Sequence, residues 1–201
     1  MKQNLKKVKP KKQKTNNFML LLVGLGNDGK EYDNTRHNVG FQVIDYLKSI
    51  HSLTYKKNKL KSHIFKGKIF DQQVILSKPT TMMNCSGEAI KLIKNYYKID
   101  LNNIFVFHDE LDLELKRVKI KLGGGSAGHN GIKSIDNNIG SNYFRIRIGI
   151  KNSRYDEDAS SYVLAKFNKL ETEIMKEVIA KINKNLNYIF RKDINNFIQS
   201  M

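Results

Sequence analysis

The chain has 201 residues, with 36 Lys+Arg against 19 Asp+Glu, a formal net charge of +17 and a hydrophobic content of 40%. That length supports one buried core, the absence of any apolar run of about 18 residues excludes a membrane-spanning helix, and a single cysteine, Cys85, excludes a disulfide framework or a Cys-rich zinc site. A charge this positive speaks of anionic partners, nucleic acid above all, rather than of fold.

Residues 1–17 begin MKQNLKKVKPKKQK, with seven lysines and no acid in the first 14 positions. Such a segment has almost nothing to bury and is predicted to be a disordered basic tail, either a solubilising arm or an electrostatic tether to nucleic acid. No apolar stretch with a small-residue cleavage site follows, so it does not read as a secretory signal, and a reducing cytoplasm is the expected compartment. Residues 18–201 then form the folded domain. FMLLLV (18–23), stopped by glycine, predicts a buried strand. A polar, glycine-containing loop runs through Thr35. From Asn38, available as a cap, Val39, Val43, Ile44 and Leu47 recur at helical spacing.

Alternation over 62–67 and again over 73–77, separated by Asp71-Gln72, predicts a hairpin that Pro79 ends. A helix is expected from Ser86 to Tyr97, a buried strand over Ile104–Phe107 stopped by His108-Asp109-Glu110, and a further strand over Val118–Leu122. A short helix over Gly131–Ile139, a strand carrying Phe144, Ile146, Ile148 and Ile150, and a helix over Glu171–Phe190 complete the series. Strands interleaved with helices predict an α/β fold: a single domain with a twisted mixed β-sheet flanked by helices.

The positive charge is uneven. Residues 116–154 carry nine bases against one acid, Asp136, whereas 15–115 hold 13 bases against 11 acids and 155–201 balance seven against seven. The basic block coincides with a loop of five glycines in nine residues, Gly123 to Gly131, where bare backbone amides can approach a sugar or phosphate. Lys119 and Lys121 lead into it, and Lys133, Arg145 and Arg147 follow, so a nucleic-acid surface is expected here.

Four other motifs bear on chemistry. Gly24-Leu25-Gly26-Asn27-Asp28-Gly29 matches the dinucleotide pattern, but a polar stretch follows it and Asp45 falls in a helical pattern, so a tight turn at a sheet edge is the better reading. Thr35-Arg36-His37-Asn38 sits at a loop-to-helix junction. His37, His108 and His129 each lie where an apolar element gives way to a polar loop, but no two histidines fall at i, i+4 and no metal site is expected. Thr80 to Gly87 reads as a capped helix start in which Cys85 packs as an inert side chain. In His108-Asp109-Glu110, a carboxylate just past a strand is placed to orient a histidine, the arrangement of a base and its orienter.

Taken in order, VGLGNDGKEYDNTRHNVGF (23–41), KPTTMMNCSGEAI (78–90), FHDELDLELKRVKIKLGGGSAGHNGIKSI (107–135), FRIRIGI (144–150) and YVLAKF (162–167) resemble the bacterial-type peptidyl-tRNA hydrolases. The resemblance implies hydrolysis of the ester between a nascent peptide and the 3′ ribose of tRNA. It also implies that His37 takes a proton from the attacking water while Asp109 orients and polarises it. Asn27, Asn84 and Asn130 match asparagines around the scissile ester, Tyr32 and Met83 match cleft-lining positions, His129 matches a second histidine, and Lys121 with Arg147 matches a pair that grips tRNA phosphate. No metal or organic cofactor, no membrane and no obligate protein partner is implied, and a monomer is expected.

The sequence departs from the family pattern at Asp28, where a proline is usual, at Ser126, where a histidine is common, and at Lys151-Asn152-Ser153, in place of a Gly-x-Pro-type turn. Two other classes are weighed against this reading: a noncatalytic RNA-binding protein and a dinucleotide oxidoreductase. Binding alone needs neither a base nor its orienter, and the glycine loop lacks the context of a cofactor site.

Overall fold

The computed structural model describes residues 19–152 and 158–201, the side chains of 57–59 aside; the basic segment 1–17 and Ser153 lie outside the described residues. Seven strands form one mixed sheet: β1 (Leu20–Gly24), β2 (Thr54–Lys59), β3 (Ser62–Ile69), β4 (Gln72–Pro79), β5 (Ile104–Glu114), β6 (Val118–Leu122) and β7 (Phe144–Lys151). Their spatial order is β2-β3-β4-β1-β5-β7-β6. The four central strands, β4-β1-β5-β7, run parallel, and antiparallel pairings flank them on both sides. Among the described residues the helices are α1 (Val39–Ile50), α2 (Ser86–Tyr97), α3 (Asn130–Ile139), α4 (Ala159–Leu164), α5 (Lys169–Lys184), α6 (Leu186–Phe190) and α7 (Ile194–Ser200).

Successive side chains of a strand point to opposite faces, so a continuous apolar run such as Leu20–Val23 supplies two cores at once. Leu20 and Leu22 join Phe105, Phe107, Ile146 and Ile148 under α1 and the C-terminal helices. Leu21 and Val23 join Ile75, Ile104 and Val106 under α2 and α3, through Ile90, Ile93, Ile132 and Ile135.

The α/β architecture and mixed sheet match the sequence expectation, and four local readings need correction. The glycine turn after β1 leaves the middle of the sheet, not its edge, because β1 pairs with β4 on one side and β5 on the other. The strand expected to stop at His108 continues as β5 to Glu114, since β7 pairs with it through Asp109 and Glu110, and those polar side chains find partners described below. Asn38 makes no side-chain cap on α1; its amide turns back to Asn27 instead. The long C-terminal helix breaks at Asn185, whose side-chain amide donates to Lys181 O at 3.0 Å in competition with the helical backbone pattern. The lysine-rich β2 was not expected, because a charged strand at a sheet edge lacks the alternation of a half-buried one.

The connections leaving β1 and β5 run to opposite halves of the sheet, which opens a crevice at the carboxyl ends of these adjacent parallel strands. Glycines let α1 start against that crevice. A Cβ on Gly24 would lie 2.2 Å from Gly40 O, and one on Gly40 would lie 2.3 Å from Phe107 O. The first glycine of the loop therefore serves helix–sheet packing. Gly40→Ala is expected to lower stability by at least about 1–3 kcal/mol, the usual scale of overpacking, read as a lower midpoint in urea unfolding.

Candidate active site

The loop from Gly24 to Asn38 is held by a reciprocal pair of asparagines. Asn27 N donates to Asn38 Oδ1 at 2.8 Å, and Asn38 Nδ2 donates back to Asn27 O at 2.9 Å. Asn27 Oδ1 in turn accepts from Met83 N at 2.8 Å, which brings the turn Met83–Cys85 beside the loop. Asn27 is thus buried with its amide orientation fixed, and its Nδ2 has no partner among the described residues. Asn84 and Asn130, on the Met83–Cys85 turn and at the start of α3, are exposed, and neither side chain has a hydrogen-bond partner among the described residues. Met83 is buried in the core layer that also holds Leu25 and Ile132, so it supports the floor of the site. Tyr32 is half-buried on the preceding 3-10 turn, Lys30–Tyr32.

His37 lies on a 3-10 turn, Arg36–Asn38, that runs directly into α1. Its Nδ1 sits 3.0 Å from both carboxylate oxygens of Asp109, and its Nε2 has no partner among the described residues. The Asp109 side chain is 2% exposed, and His129 Nε2 approaches its Oδ1 at 3.0 Å from the other side. Burial by itself would raise the Asp109 carboxyl, but the two imidazole edges and the hydrogen bonds they donate hold it well below the usual carboxylate range. For His37, burial is the largest single influence and disfavours the charged ring. The Asp109 carboxylate more than offsets it, and the net shift is upward from 6.5.

The two histidines are not equivalent. His129 Nδ1 accepts from Gly131 N at 3.1 Å and Ile132 N at 3.3 Å, capping α3, so that nitrogen carries no proton. Its proton is on Nε2 and is donated to Asp109. The ligating atoms of His37, Asp109 and His129 lie within 4.8 Å of one another, a spacing that suits a metal ion. The donor set does not fit one: the Nε2 lone pair of His129 is unavailable while two backbone amides occupy Nδ1.

His108 belongs to the opposite face of β5. Its Nδ1 donates to Asp109 O at 2.7 Å, and burial, with smaller effects from its neighbours, pushes the ring down to about 3, so it stays neutral. On that face a cavity of about 250 Å³ is lined by His108, Glu110, Lys121, Gly125, Ser126 and Arg147 among others. Lys121 is exposed, whereas Arg147 Nε is paired with Glu110 Oε2 at 2.7 Å. The strand register sets Lys121 opposite Arg145 and Lys119 opposite Arg147.

Arg145, counted in the sequence with the basic surface, is 3% exposed. It is paired with Asp136 at 2.8 Å and donates to Gly125 O at 2.8 Å, so it anchors the glycine loop. Asp28, in place of the usual proline, is not an isolated charge: its carboxylate lies 3.7 Å from His63 Nε2 on β3. Sequence reasoning gave no role to Glu110, or to Asn38 beyond a cap. It also passed over Glu171, although Asn168-Lys169-Leu170-Glu171 carries a capping-box pattern that the structure forms.

A buried carboxylate against an imidazole whose far nitrogen has no partner among the described residues, with uncharged amides nearby at the carboxyl ends of parallel strands, is an arrangement suited to acid–base hydrolysis. The family model described as peptidyl-tRNA hydrolase matches residues 21–201. The peptidyl-tRNA hydrolase of Rickettsia bellii (strain RML369-C) is 44% identical over 184 residues, covering 91% of this chain and all of that one. That of Rickettsia prowazekii (strain Madrid E) is 44% identical over 180 residues, covering 89% of this chain and 97% of the relative. The crystal structure of the Acinetobacter baumannii peptidyl-tRNA hydrolase superposes with a TM-score of 0.84 at 34% identity, covering 90% of this chain and 93% of that one. The chain belongs to the peptidyl-tRNA hydrolase family, and its reaction is hydrolysis of the ester that joins a peptide to tRNA.

Because His129 both caps α3 and holds Asp109, His129→Ala is expected to lower stability by roughly 1–2 kcal/mol, as loss of a helix cap does, and to reduce turnover as well. Urea unfolding and steady-state hydrolysis of the same preparation check the two effects together.

Proposed function

We propose that His37 is the general base of the ester hydrolysis, removing a proton from the attacking water through Nε2 while Asp109 holds its Nδ1–H. The observation that carries this assignment is the hydrogen bonding of His129. Both histidines touch the same carboxylate, but backbone amides occupy the remaining nitrogen of His129, which leaves His37 with the only open ring nitrogen of the pair. Asp109 stays ionised and stabilises the imidazolium that forms, and water, rather than a side chain, is the nucleophile.

Asn27 Nδ2 is the preorganised donor for the oxyanion, since its amide is pinned by Met83 N and needs no reorientation as charge develops. Asn84 and Asn130, exposed and unpaired among the described residues, hold the peptide and the ribose, and Tyr32 and Met83 wall the cleft. Lys121 and Arg147 meet tRNA phosphate at the cavity on the far face of β5. A monomer with no obligate protein partner is part of this proposal. Among the described residues no helix is long and apolar enough to cross a membrane, and a cytoplasmic enzyme of translation accords with the family.

His37→Ala is expected to abolish release of tRNA from N-acetylated aminoacyl-tRNA; near-wild-type turnover by the folded variant sinks the assignment. The base must be deprotonated to act, so activity is lost as pH falls through a pKa raised above 6.5, and kcat/KM should show an acid limb there. Asp109→Asn removes the carboxylate that raises it, so the limb should move to lower pH as the plateau drops. Lys121→Ala should weaken tRNA binding most at low salt and flatten the plot of log K against log salt by about 0.7–0.9, one phosphate contact. An unchanged slope removes Lys121 from the tRNA contact.

A further inference from the structure

His37 is held at its ring by Asp109, but its backbone sits on a single 3-10 turn, and most of what fixes that turn comes from residues about 130 positions later. Thr35 forms an isolated antiparallel bridge with Lys166. Arg36 N donates to Ala165 O at 3.1 Å, and Phe167 N donates to Asn34 O at 3.1 Å. The Arg36 side chain turns the same way. Its Nη1 donates to Ala165 O and Lys166 O at 3.2 and 3.1 Å, and its Nη2 donates to both carboxylate oxygens of Glu171 at 3.2 and 3.0 Å. The guanidinium lies 4.2 Å from the centre of the Tyr162 ring.

Glu171 is itself over-determined. It closes the capping box of α5 with Asn168, and it accepts from Asn152 Nδ2 at 2.5 Å at the end of β7. The Arg36 and Glu171 side chains are 8% and 5% exposed. A buried ion pair is a poor source of net stability, because desolvation opposes it, but a guanidinium with four directed bonds fixes position and angle well.

We infer that Arg36 is a positioning residue for the hydrolysis: clamped by Glu171 and the 165–166 carbonyls, it sets the turn that aims His37 at Asp109. The clamp stands one residue from the base and is built from different partners than the two groups that face the His37 ring, Asp109 from β5 and His129 from the turn before α3. Neither Asp109 nor His129 is bonded to the clamp, so loosening it is expected to act through the presentation of the His37 ring. This inference rests on His37 being the base.

The test uses the full chain and compares Arg36→Lys, which keeps the charge but loses the planar fork, with Glu171→Gln, which keeps the shape and the capping acceptor. Steady-state hydrolysis of N-acetylated aminoacyl-tRNA is measured across pH, alongside thermal unfolding. The expected result for the folded Arg36→Lys protein is a kcat about tenfold or more lower, the scale on which small misplacements act, with KM little changed. The acid limb of kcat/KM should shift to lower pH as His37 loses its hold on Asp109, and the double variant should be no slower than the slower single one.

A wild-type kcat and acid limb in folded Arg36→Lys overturns the inference. So does a loss confined to KM, or a lowered Tm with the limb unmoved, which marks a role in stability alone. If Arg36→Lys does not fold, Glu171→Gln is judged by the same criteria. An active His37→Ala overturns the base assignment instead, whereas a dead His37→Ala beside a silent Arg36→Lys overturns only the positioning.

Discussion

A carboxylate shut away from water between two imidazole rings organises this molecule. Asp109 is buried on a central strand, where an ionised group is tolerated only if donors surround it, and His37 and His129 are those donors. Each arrives from a different direction, one at the start of α1 and the other at the start of α3, so the two helices must enter the crevice at fixed angles for the charge to be satisfied. The glycines that admit α1 to the strand ends and the asparagine pair that closes the first loop both serve that requirement.

The same constraint divides labour between two like residues. An imidazole has two nitrogens, and what each touches decides what the ring can do. His129 spends one on the amides of α3 and the other on Asp109, so both of its nitrogens are occupied. His37 spends only one, and the other has no partner among the described residues. His108 shows a third outcome: deep burial keeps it neutral, its Nδ1 spent on Asp109 O and its ring edge-on to that of His129, with 4.9 Å between centroids.

The positive charge also changes meaning in three dimensions. Of the bases around the glycine loop, Arg145 is internal and anchors that loop, Arg147 is paired with Glu110, and Lys121 stands exposed. A count of nine bases in 116–154 therefore overstates the field offered to a nucleic acid, because burial and pairing are invisible along a chain. Asp28 shows the converse, an acid where proline is usual whose carboxylate lies 3.7 Å from His63 Nε2 across the fold.

Period-2 and period-3.6 patterns made the α/β class, most strands and the α2 boundaries legible, since those patterns arise from burial of one face or stripe and are written residue by residue. The ordered blocks around His37, Asp109 and the asparagines made the family and its chemistry legible too. The position of β1 in the sheet, the continuation of β5 through its acids, the break at Asn185 and the return of Asn38 to Asn27 were not. Each depends on a partner distant in sequence: a neighbouring strand, a competing amide, a second loop. The sequence by itself determined which groups could act; only the tertiary structure decided which histidine keeps a free nitrogen and what holds it, because tautomer and aim are set by hydrogen bonds between segments that meet only on folding.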